Sequence, residues 1–374
     1  MKILVSAGEV SGDVHGSYLV KELKKLKPDI YFFGMGSERL AAEGMEVRFD
    51  ISKRGTIGIF EALPNLLPVY LTFLKMKKLL LQEKPDLVLL VDSQGFNMPF
   101  AKFCKKAGFK TVYYIAPQEW LWGTLRGIKH VAGTVDLIVA IFEKEYEAYK
   151  KAGANVVYFG HPLVDSVKAA VKAGNEARSP KPVVSICAGS RSQEIKGIFP
   201  ILLKAAELIK KDIPDAEFIM PVPSTKIIEQ MFPLVGDFHP KAIAGQTYDI
   251  LAASDLAICT SGTINLEASL LGTPNIMVYK LSPLTRFIGK YLLGIERKIK
   301  YFSMPNILLD EKVIPELVMG EANPERIAEE ALSILKDKAR REKMKNSFAK
   351  LKSQLGSEGV IRRIAETILA FNRS

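Results

Sequence analysis

Short runs of consecutive apolar residues alternate along this chain with longer stretches in which apolar positions recur every third or fourth residue. The runs predict strands and the periodic stretches predict helices. In the first half the strands fall at 2–6, 30–33, 87–91, 110–115, 135–141 and 156–159. Helices are expected at 14–26, 99–107 and 144–152, stopped by Pro28, Gly108 and Gly153. This alternation belongs to a parallel sheet with crossover helices, so residues 1–171 are read as one doubly wound domain. The stretch 172–181, with Gly174, Asn175, Ser179 and Pro180, has the composition of a linker. From Pro182 the alternation resumes, with strands at 183–187, 217–220, 256–259 and 275–279 and helices at 195–211, 263–271 and 325–335. Residues 182–345 make the second domain. The segment 346–374 is charged and helical, interrupted at Gly356 and Gly359, and either crosses back to the first domain or is exchanged in a homodimer. The expected fold class is α/β, two Rossmann-like doubly wound domains facing a cleft.

One apolar segment does not fit the strand and helix rhythm. Residues 57–81 carry apolar side chains almost all round a helix, broken by Pro64 and Pro68 and interrupted by Lys75, Lys77 and Lys78. That is too short for a membrane span, which needs about 20 apolar residues. A helix buried in the core and a basic-edged helix touching a bilayer or an acyl chain both remain open. In the second reading Leu66, Val69, Tyr70, Phe73 and Leu74 make the contact.

Charge bears on the kind of partner. The 374 residues hold 52 Lys and Arg against 41 Asp and Glu, a net charge of +11, which calls for an anionic partner. No zinc finger, aromatic ribonucleoprotein motif or basic helix repeat points to nucleic acid. Basic residues cluster instead beside apolar segments, at 75–78 and at Lys280, Arg286, Lys290, Arg297, Lys298 and Lys300, as on a membrane-facing surface. Apolar residues at 48% and charged residues at 25% exclude a disordered chain. The three cysteines, Cys104, Cys187 and Cys259, form neither a disulfide framework nor a zinc pattern. A reducing, cytoplasmic compartment is expected, and the apolar run before Glu9 is too short for an export signal.

Ligands of doubly wound sheets bind beyond the carboxyl ends of strands, and four loops there are unusual. The first, Ser6 to Gly16, carries Gly8, Gly12 and Gly16 and leads into a helix. It suits an anion, yet it is neither a Walker loop nor a dinucleotide fingerprint, and a plain turn capped by Ser11 or Asp13 explains it as well. His15 is a catalytic candidate with a structural alternative. Nearby, Gly34-Met-Gly-Ser-Glu-Arg39 begins like a dinucleotide fingerprint but places Arg39 where the third glycine belongs. The second loop starts at Asp92, placed to accept a proton from a substrate hydroxyl or to cap the next helix. The third, Ala116 to Trp122, holds both tryptophans, suited to a sugar or to core packing.

The fourth loop runs from Ala188 through Gly189, Ser190 and Arg191 into a helix, a setting for a diphosphate. Its companion follows the strand at 256–259, where Ser261, Gly262 and Thr263 can donate to phosphate and Glu267 can accept from ribose hydroxyls. No Asp-x-Asp pair and no ligand-spaced His, Cys and carboxylate cluster is present, so no metal and no cofactor is expected. No Gly-x-Ser-x-Gly elbow is present either.

Taken in order, the motifs Ala7-Gly-Glu-Val-Ser-Gly-Asp13, Asp92 with Phe96-Asn97, Pro117-Gln-x-Trp120, Gly160-His-Pro-Leu163, Gly189-Ser-Arg191, Ser261-Gly-Thr263 with Glu267, and Met304-Pro-Asn306 resemble the lipid-A-disaccharide synthases, glycosyltransferases of the GT-B fold. The chain departs from that pattern at Ala188, where proline is usual, at Glu119, where an aliphatic residue is usual, and at Gly95, where a second acid is common. The resemblance implies transfer of 2,3-diacylglucosamine from UDP-2,3-diacylglucosamine to 2,3-diacylglucosamine 1-phosphate. The products are a β-1,6-linked disaccharide 1-phosphate and UDP, in lipid A biosynthesis of a Gram-negative envelope. It further implies a peripheral protein on the cytoplasmic, anionic face of the inner membrane. Asp92 is then the base, with His15 next in line. Ser11, Gly12, Asp13, Ser190, Arg191, Ser261, Gly262, Thr263, Glu267 and Asn306 bind substrate. The rivals are another GT-B sugar-nucleotide enzyme, such as a UDP-N-acetylglucosamine 2-epimerase, and a non-catalytic UDP-binding protein of the membrane surface.

Overall fold

The structure, a computed structural model, describes residues 1–50, 59–173, 180–189, 192–222, 225–236, 238–280 and 300–373. The chain divides into two units, Met1–Asp165 with Leu355–Ser374, and Ser166–Gln354.

The first unit contains β1 (Lys2–Ala7), α1 (Val10–Leu26), β2 (Tyr31–Met35), α2 (Glu38–Ala42), β3 (Glu46–Phe49), α3 (Ile59–Glu83), β4 (Leu87–Val91), α4 (Gln94–Lys106), β5 (Thr111–Tyr114), α5 (Glu119–Trp122), α6 (Leu125–Thr134), β6 (Leu137–Ala140), α7 (Glu143–Lys151) and β7 (Val156–Tyr158). α8 (Leu163–Ala173) leads out of it. The second unit holds β8 (Val183–Cys187), α9 (Ser192–Asp212), β9 (Glu217–Val222), α10 (Thr225–Met231), β10 (Lys241–Ala244), α11 (Thr247–Ala253), β11 (Leu256–Thr260), α12 (Thr263–Leu270), β12 (Asn275–Tyr279), α13 (Met304–Leu309), β13 (Glu316–Val318), α14 (Pro324–Lys336) and α15 (Lys338–Gln354). Last comes α16 (Val360–Arg373).

Each unit is one sheet of parallel strands. The orders are β3-β2-β1-β4-β5-β6-β7 and β10-β9-β8-β11-β12-β13, the doubly wound arrangement in which strand order reverses beside the first strand. Parallel strands covered on both faces read as unbroken apolar runs. Accordingly β4 and β11 are buried along their whole length. The strands missing from the sequence expectation, β3, β10 and β13, are short, and β3 and β10 carry partly exposed polar residues, so no apolar run marks them.

The boundaries differ from those expected. The first unit ends at Asp165 rather than at 171, and the terminal segment divides at Leu355 rather than starting at 346. The reason is burial. α15 places Met344 and Phe348 in the second core, whereas α16 packs on α1 and buries Val360, Ile364 and Ile368. Asp165 holds the turn into α16, accepting from the Gly359 and Ile361 amides at 2.7 and 2.9 Å. Most of the expected linker lies outside the described residues.

Helix α3 separates the apolar positions that the sequence left mixed. Met76 and Leu80 are fully buried, and Val69 and Phe73 pack inward on the same core. Phe73 meets Phe96 and Phe100 edge-on. Leu66, Leu67, Tyr70, Leu71 and Leu74 are exposed instead. Val69 and Phe73 therefore face the core rather than the expected acyl or membrane contact, and Leu67 and Leu71 share the exposed face, because the helical period of 3.6 turns the two sets to opposite faces. Lys77 folds over the Phe103 ring, 4.3 Å from its centroid, while Lys75 and Lys78 stay exposed. No described helix is long and apolar enough to cross a membrane.

Candidate active site

In the first unit the order reverses between β1 and β4, which pair from Ile3 with Leu87 to Ala7 with Val91. The chain leaving β1 and the chain leaving β4 therefore start side by side. The expected loop from Ser6 to Gly16 is much shorter than its glycines suggested, because α1 already begins at Val10. Gly12 and Gly16 serve close packing. A Cβ on Gly12 would stand 3.1 Å from the Val91 carbonyl oxygen and 3.4 Å from the Asp92 Cβ. Gly34 of the partial dinucleotide fingerprint lies within β2, at φ +134°, where a Cβ would run into the Val5 carbonyl oxygen at 2.3 Å. Sheet packing explains that motif.

Asp92 sits at the end of β4 with φ +52°, followed by Ser93 at +51°. Two consecutive non-glycine residues in the left-handed region cost on the order of 1–3 kcal/mol each, and a set of hydrogen bonds offsets them. Asn97, fully buried, donates from Nδ2 to the carbonyls of Asp92 (2.8 Å), Val91 (3.1 Å) and Ser6 (3.1 Å), and accepts from Ser6 Oγ at 2.6 Å. Tyr113 donates its phenolic hydrogen to the Asp92 carbonyl at 2.8 Å. The Gly8 amide donates to Ser93 Oγ at 3.1 Å. The neighbouring strand end is bent the same way, with Ile115 at φ +58°.

The Asp92 carboxylate does not cap α4, whose N-cap is Ser93. Its Oδ2 accepts from Ser11 Oγ at 2.6 Å. Ser11, expected to bind substrate, is thus engaged with the candidate base. Asp13, also expected at the substrate, is buried at 3% exposure and turned away: it accepts from the amides of Ser37 (2.6 Å), Arg39 (3.0 Å) and Leu40 (3.4 Å), at the start of α2. That placement corrects the sequence expectation. A carboxylate satisfies several orphan amides of a helix start at once.

His15 is buried, and its Nδ1 has no hydrogen-bond partner among the described residues. Burial lowers its pKa to about 4 although the Asp92 charge pulls the other way, so the ring is neutral near pH 7. His161 is buried too, held well below the usual histidine range by burial and then by His15. Its ring lies 4.9 Å from Phe142, which lies 5.8 Å from Trp120. Trp120 donates its indole hydrogen to Gln118 at 2.6 Å. Beneath this row, Tyr149 donates to the Pro117 carbonyl at 2.6 Å, and Glu145 accepts from the Ile141 and Phe142 amides. Burial raises Glu145 to about 8. Asn97, Tyr113, Glu145 and Tyr149 were not singled out as functional from the sequence. Only Asn97 left a signal, its fixed place beside Phe96 in the aspartate motif.

In the second unit the reversal lies between β8 and β11, where Cys187 pairs with Cys259. The loops at Gly189 and at Ser261–Thr263 therefore leave from adjacent strands. Gly262, at φ +143°, is the N-cap of α12. Glu267 is half-buried; burial lifts its carboxyl to about 7, while a hydrogen bond from the Thr263 side chain acts the other way. Asn265 donates to the Thr260 carbonyl at 2.7 Å, repeating in this unit the bond from Asn97 to Asp92. Ser190 and Arg191 lie outside the described residues. Asn306, expected to bind the donor, is fully buried and committed to scaffold. It accepts from the Val313 and Ile314 amides at 2.8 and 2.9 Å and donates to the Ile314 carbonyl and to Glu316.

Comparison with known proteins bears on the family and the fold. A family model described as lipid-A-disaccharide synthetase matches residues 3–369. The lipid-A-disaccharide synthase of Geobacter metallireducens is 36% identical over 375 residues, covering 98% of this chain and 96% of its own. That of Persephonella marina is 37% identical, covering 98% of both chains. Among solved structures, UDP-GlcNAc 2-epimerase from Neisseria meningitidis bound to UDP-GlcNAc aligns over 99% of this chain and 100% of its own, with a TM-score of 0.68 at 15% identity. That likeness is one of fold, whereas the sequence match spans nearly the whole chain, and the chain belongs to the lipid-A-disaccharide synthase family.

Proposed function

We propose that this glycosyltransferase moves 2,3-diacylglucosamine from its UDP derivative to the 6-hydroxyl of 2,3-diacylglucosamine 1-phosphate, with Asp92 as the base. The observation that carries the assignment is the built turn at the β1–β4 reversal, which holds one carboxylate on Ser11 at the carboxyl edge of the sheet. Asp92 takes the hydroxyl proton as the acceptor oxygen attacks the anomeric carbon. The bond from that carbon to the UDP oxygen breaks, with inversion. His15, neutral and buried, keeps the neighbourhood of Asp92 free of a second titrating charge near pH 7.

In the second unit Ser261, Gly262 and Thr263 take the diphosphate together with Ser190 and Arg191, and Glu267 takes the ribose. The reaction runs without a bound metal, since arginine, amides and a helix start neutralise the leaving UDP. The exposed stripe of Leu67, Tyr70 and Leu71, beside Lys75 and Lys78, supports contact with an anionic membrane face, where acylated substrates reside.

The test is UDP release from UDP-2,3-diacylglucosamine, with and without the 1-phosphate acceptor, in detergent with EDTA. Acceptor-dependent release and a disaccharide product are expected. UDP binding without transfer to any acylated glucosamine would overturn the reading.

A further inference from the structure

A cavity of about 520 Å³ opens between α4 and α6, immediately beyond the Asp92 turn. One end of it is polar. Gln94, the first residue of α4, donates from Nε2 to Glu119 Oε1 at 2.7 Å. Glu119 is accommodated because Gly123 and Gly127 carry no side chain; a Cβ at either would lie within about 2 Å of its Oε2. The middle is lined by Met98 and Val131, both buried, and the other end by Lys102 and His130, which are exposed as Gln94 is. Neither α4 nor α6 contains an acidic residue. The wall is pinned by Lys105, which donates to the Gly133 carbonyl at 2.6 Å.

This is a polarised site: hydrogen-bonding groups for hydroxyls at the end that begins two residues after Asp92, an apolar floor, and a basic end. Gln94 and Lys102 are eight residues apart on one helix, about 12 Å along its axis at 1.5 Å per residue. A sugar with a reacting hydroxyl at one end and a phosphomonoester at the other has the same polarity and a comparable length. We propose that this cavity is the acceptor subsite, with the acceptor's phosphate on Lys102 and His130, its ring over Met98 and Val131, and the Gln94–Glu119 bridge facing its hydroxyls. The inference rests on the transferase reading above and names the group that selects the acceptor. A phospholipid headgroup offers the same phosphate chemistry, and the experiment separates the two.

Steady-state kinetics would be measured in nonionic detergent without phospholipid, for the 1-phosphate acceptor and for the same sugar lacking its phosphate. The proteins are wild type, Lys102→Ala/His130→Ala, and the control Lys106→Ala, altered on the same helix outside the cavity. The double variant should raise KM for the phosphorylated acceptor about tenfold or more, with kcat and donor KM little changed. Its preference for the phosphorylated over the dephosphorylated sugar should collapse, and Lys106→Ala should behave as wild type. An unchanged KM, an equal loss with both sugars, or a loss seen only when anionic vesicles are added would overturn the proposal, the last by assigning the residues to a headgroup. Equilibrium binding of the 1-phosphate sugar is read in the same proteins. A wild type that binds it through these residues but never transfers defeats the transferase reading and leaves the subsite standing.

Discussion

Ser11 donates its hydroxyl hydrogen to Asp92 Oδ2 at 2.6 Å, joining the first turn of α1 to the residue that ends β4. The bond exists because β1 and β4 are neighbours at the strand-order reversal although 81 residues separate the two partners. It fixes the carboxylate rotamer and leaves the other oxygen for a proton. Asp92→Asn should keep the fold and UDP affinity while kcat falls by about 10²–10⁴. Near-wild-type turnover in the purified variant would remove Asp92 as base and bring His15 forward. Ser11→Ala should lower kcat by a smaller factor, about tenfold, without changing donor KM.

Gly12→Ala sets two effects against each other. Alanine gains about 1 kcal/mol of helix propensity over glycine, and overpacking costs about 1–3 kcal/mol, since the new methyl meets the Val91 oxygen at 3.1 Å. Thermal unfolding should therefore show a small loss of stability. Activity should fall as well, because the Val91 oxygen that must give way belongs to the peptide leading into Asp92.

Asn97 makes four hydrogen bonds around the strained Asp92–Ser93 turn, three of them buried. Asn97→Ala takes the acceptor from the Ser6 hydroxyl and one donor from each of three carbonyls, of which that of Asp92 keeps Tyr113, and should destabilise the protein by about 2–4 kcal/mol. Denaturant titration measures that loss. A variant unfolding like wild type would show that the turn holds itself.

Glu145 binds its proton more tightly folded than unfolded, at about 8 against the ordinary 4.5. Between those values the unfolded chain releases a proton that the folded one keeps, so this residue's contribution to stability is present at low pH and is lost as pH rises toward 8. Glu145→Gln keeps an acceptor for the Ile141 and Phe142 amides. The variant should unfold at a higher temperature than wild type at pH 9 and close to it at pH 5. Parallel curves at both pH values would contradict the assignment.

The two faces of α3 predict opposite phenotypes. Leu67→Ser/Leu71→Ser should leave thermal stability nearly unchanged and weaken flotation with anionic liposomes, because both residues are exposed. Val69→Ser should lower stability, because its side chain packs on the first core. Unchanged liposome binding in the double variant would remove α3 from the membrane contact.

Much of the fold was legible in the chain. β4 and β11 are apolar throughout because both faces are covered, and turn residues such as Gly108 and Gly153 mark helix ends by their backbone freedom, at φ +79° and +80°. The place of Asp92 at the end of β4 was legible as well, because the buried apolar run stops there. The substrate roles given to Asp13 and Asn306 failed for a common reason. A polar side chain in a motif looks alike whether it faces a ligand or satisfies buried amides, and only the positions of the Ser37, Arg39, Val313 and Ile314 amides distinguish the two.

By itself the sequence determined most of the secondary elements, the doubly wound class and the family, because periodicity, turn chemistry and ordered motifs are local properties. Tertiary structure decided which distant residues meet: Ser11 with Asp92, Gln94 with Glu119, and Asp165 with the start of α16. It also decided which face of α3 stays open. Strand order sets those neighbours, and strand order is chosen by packing over the whole unit rather than by any one stretch of chain.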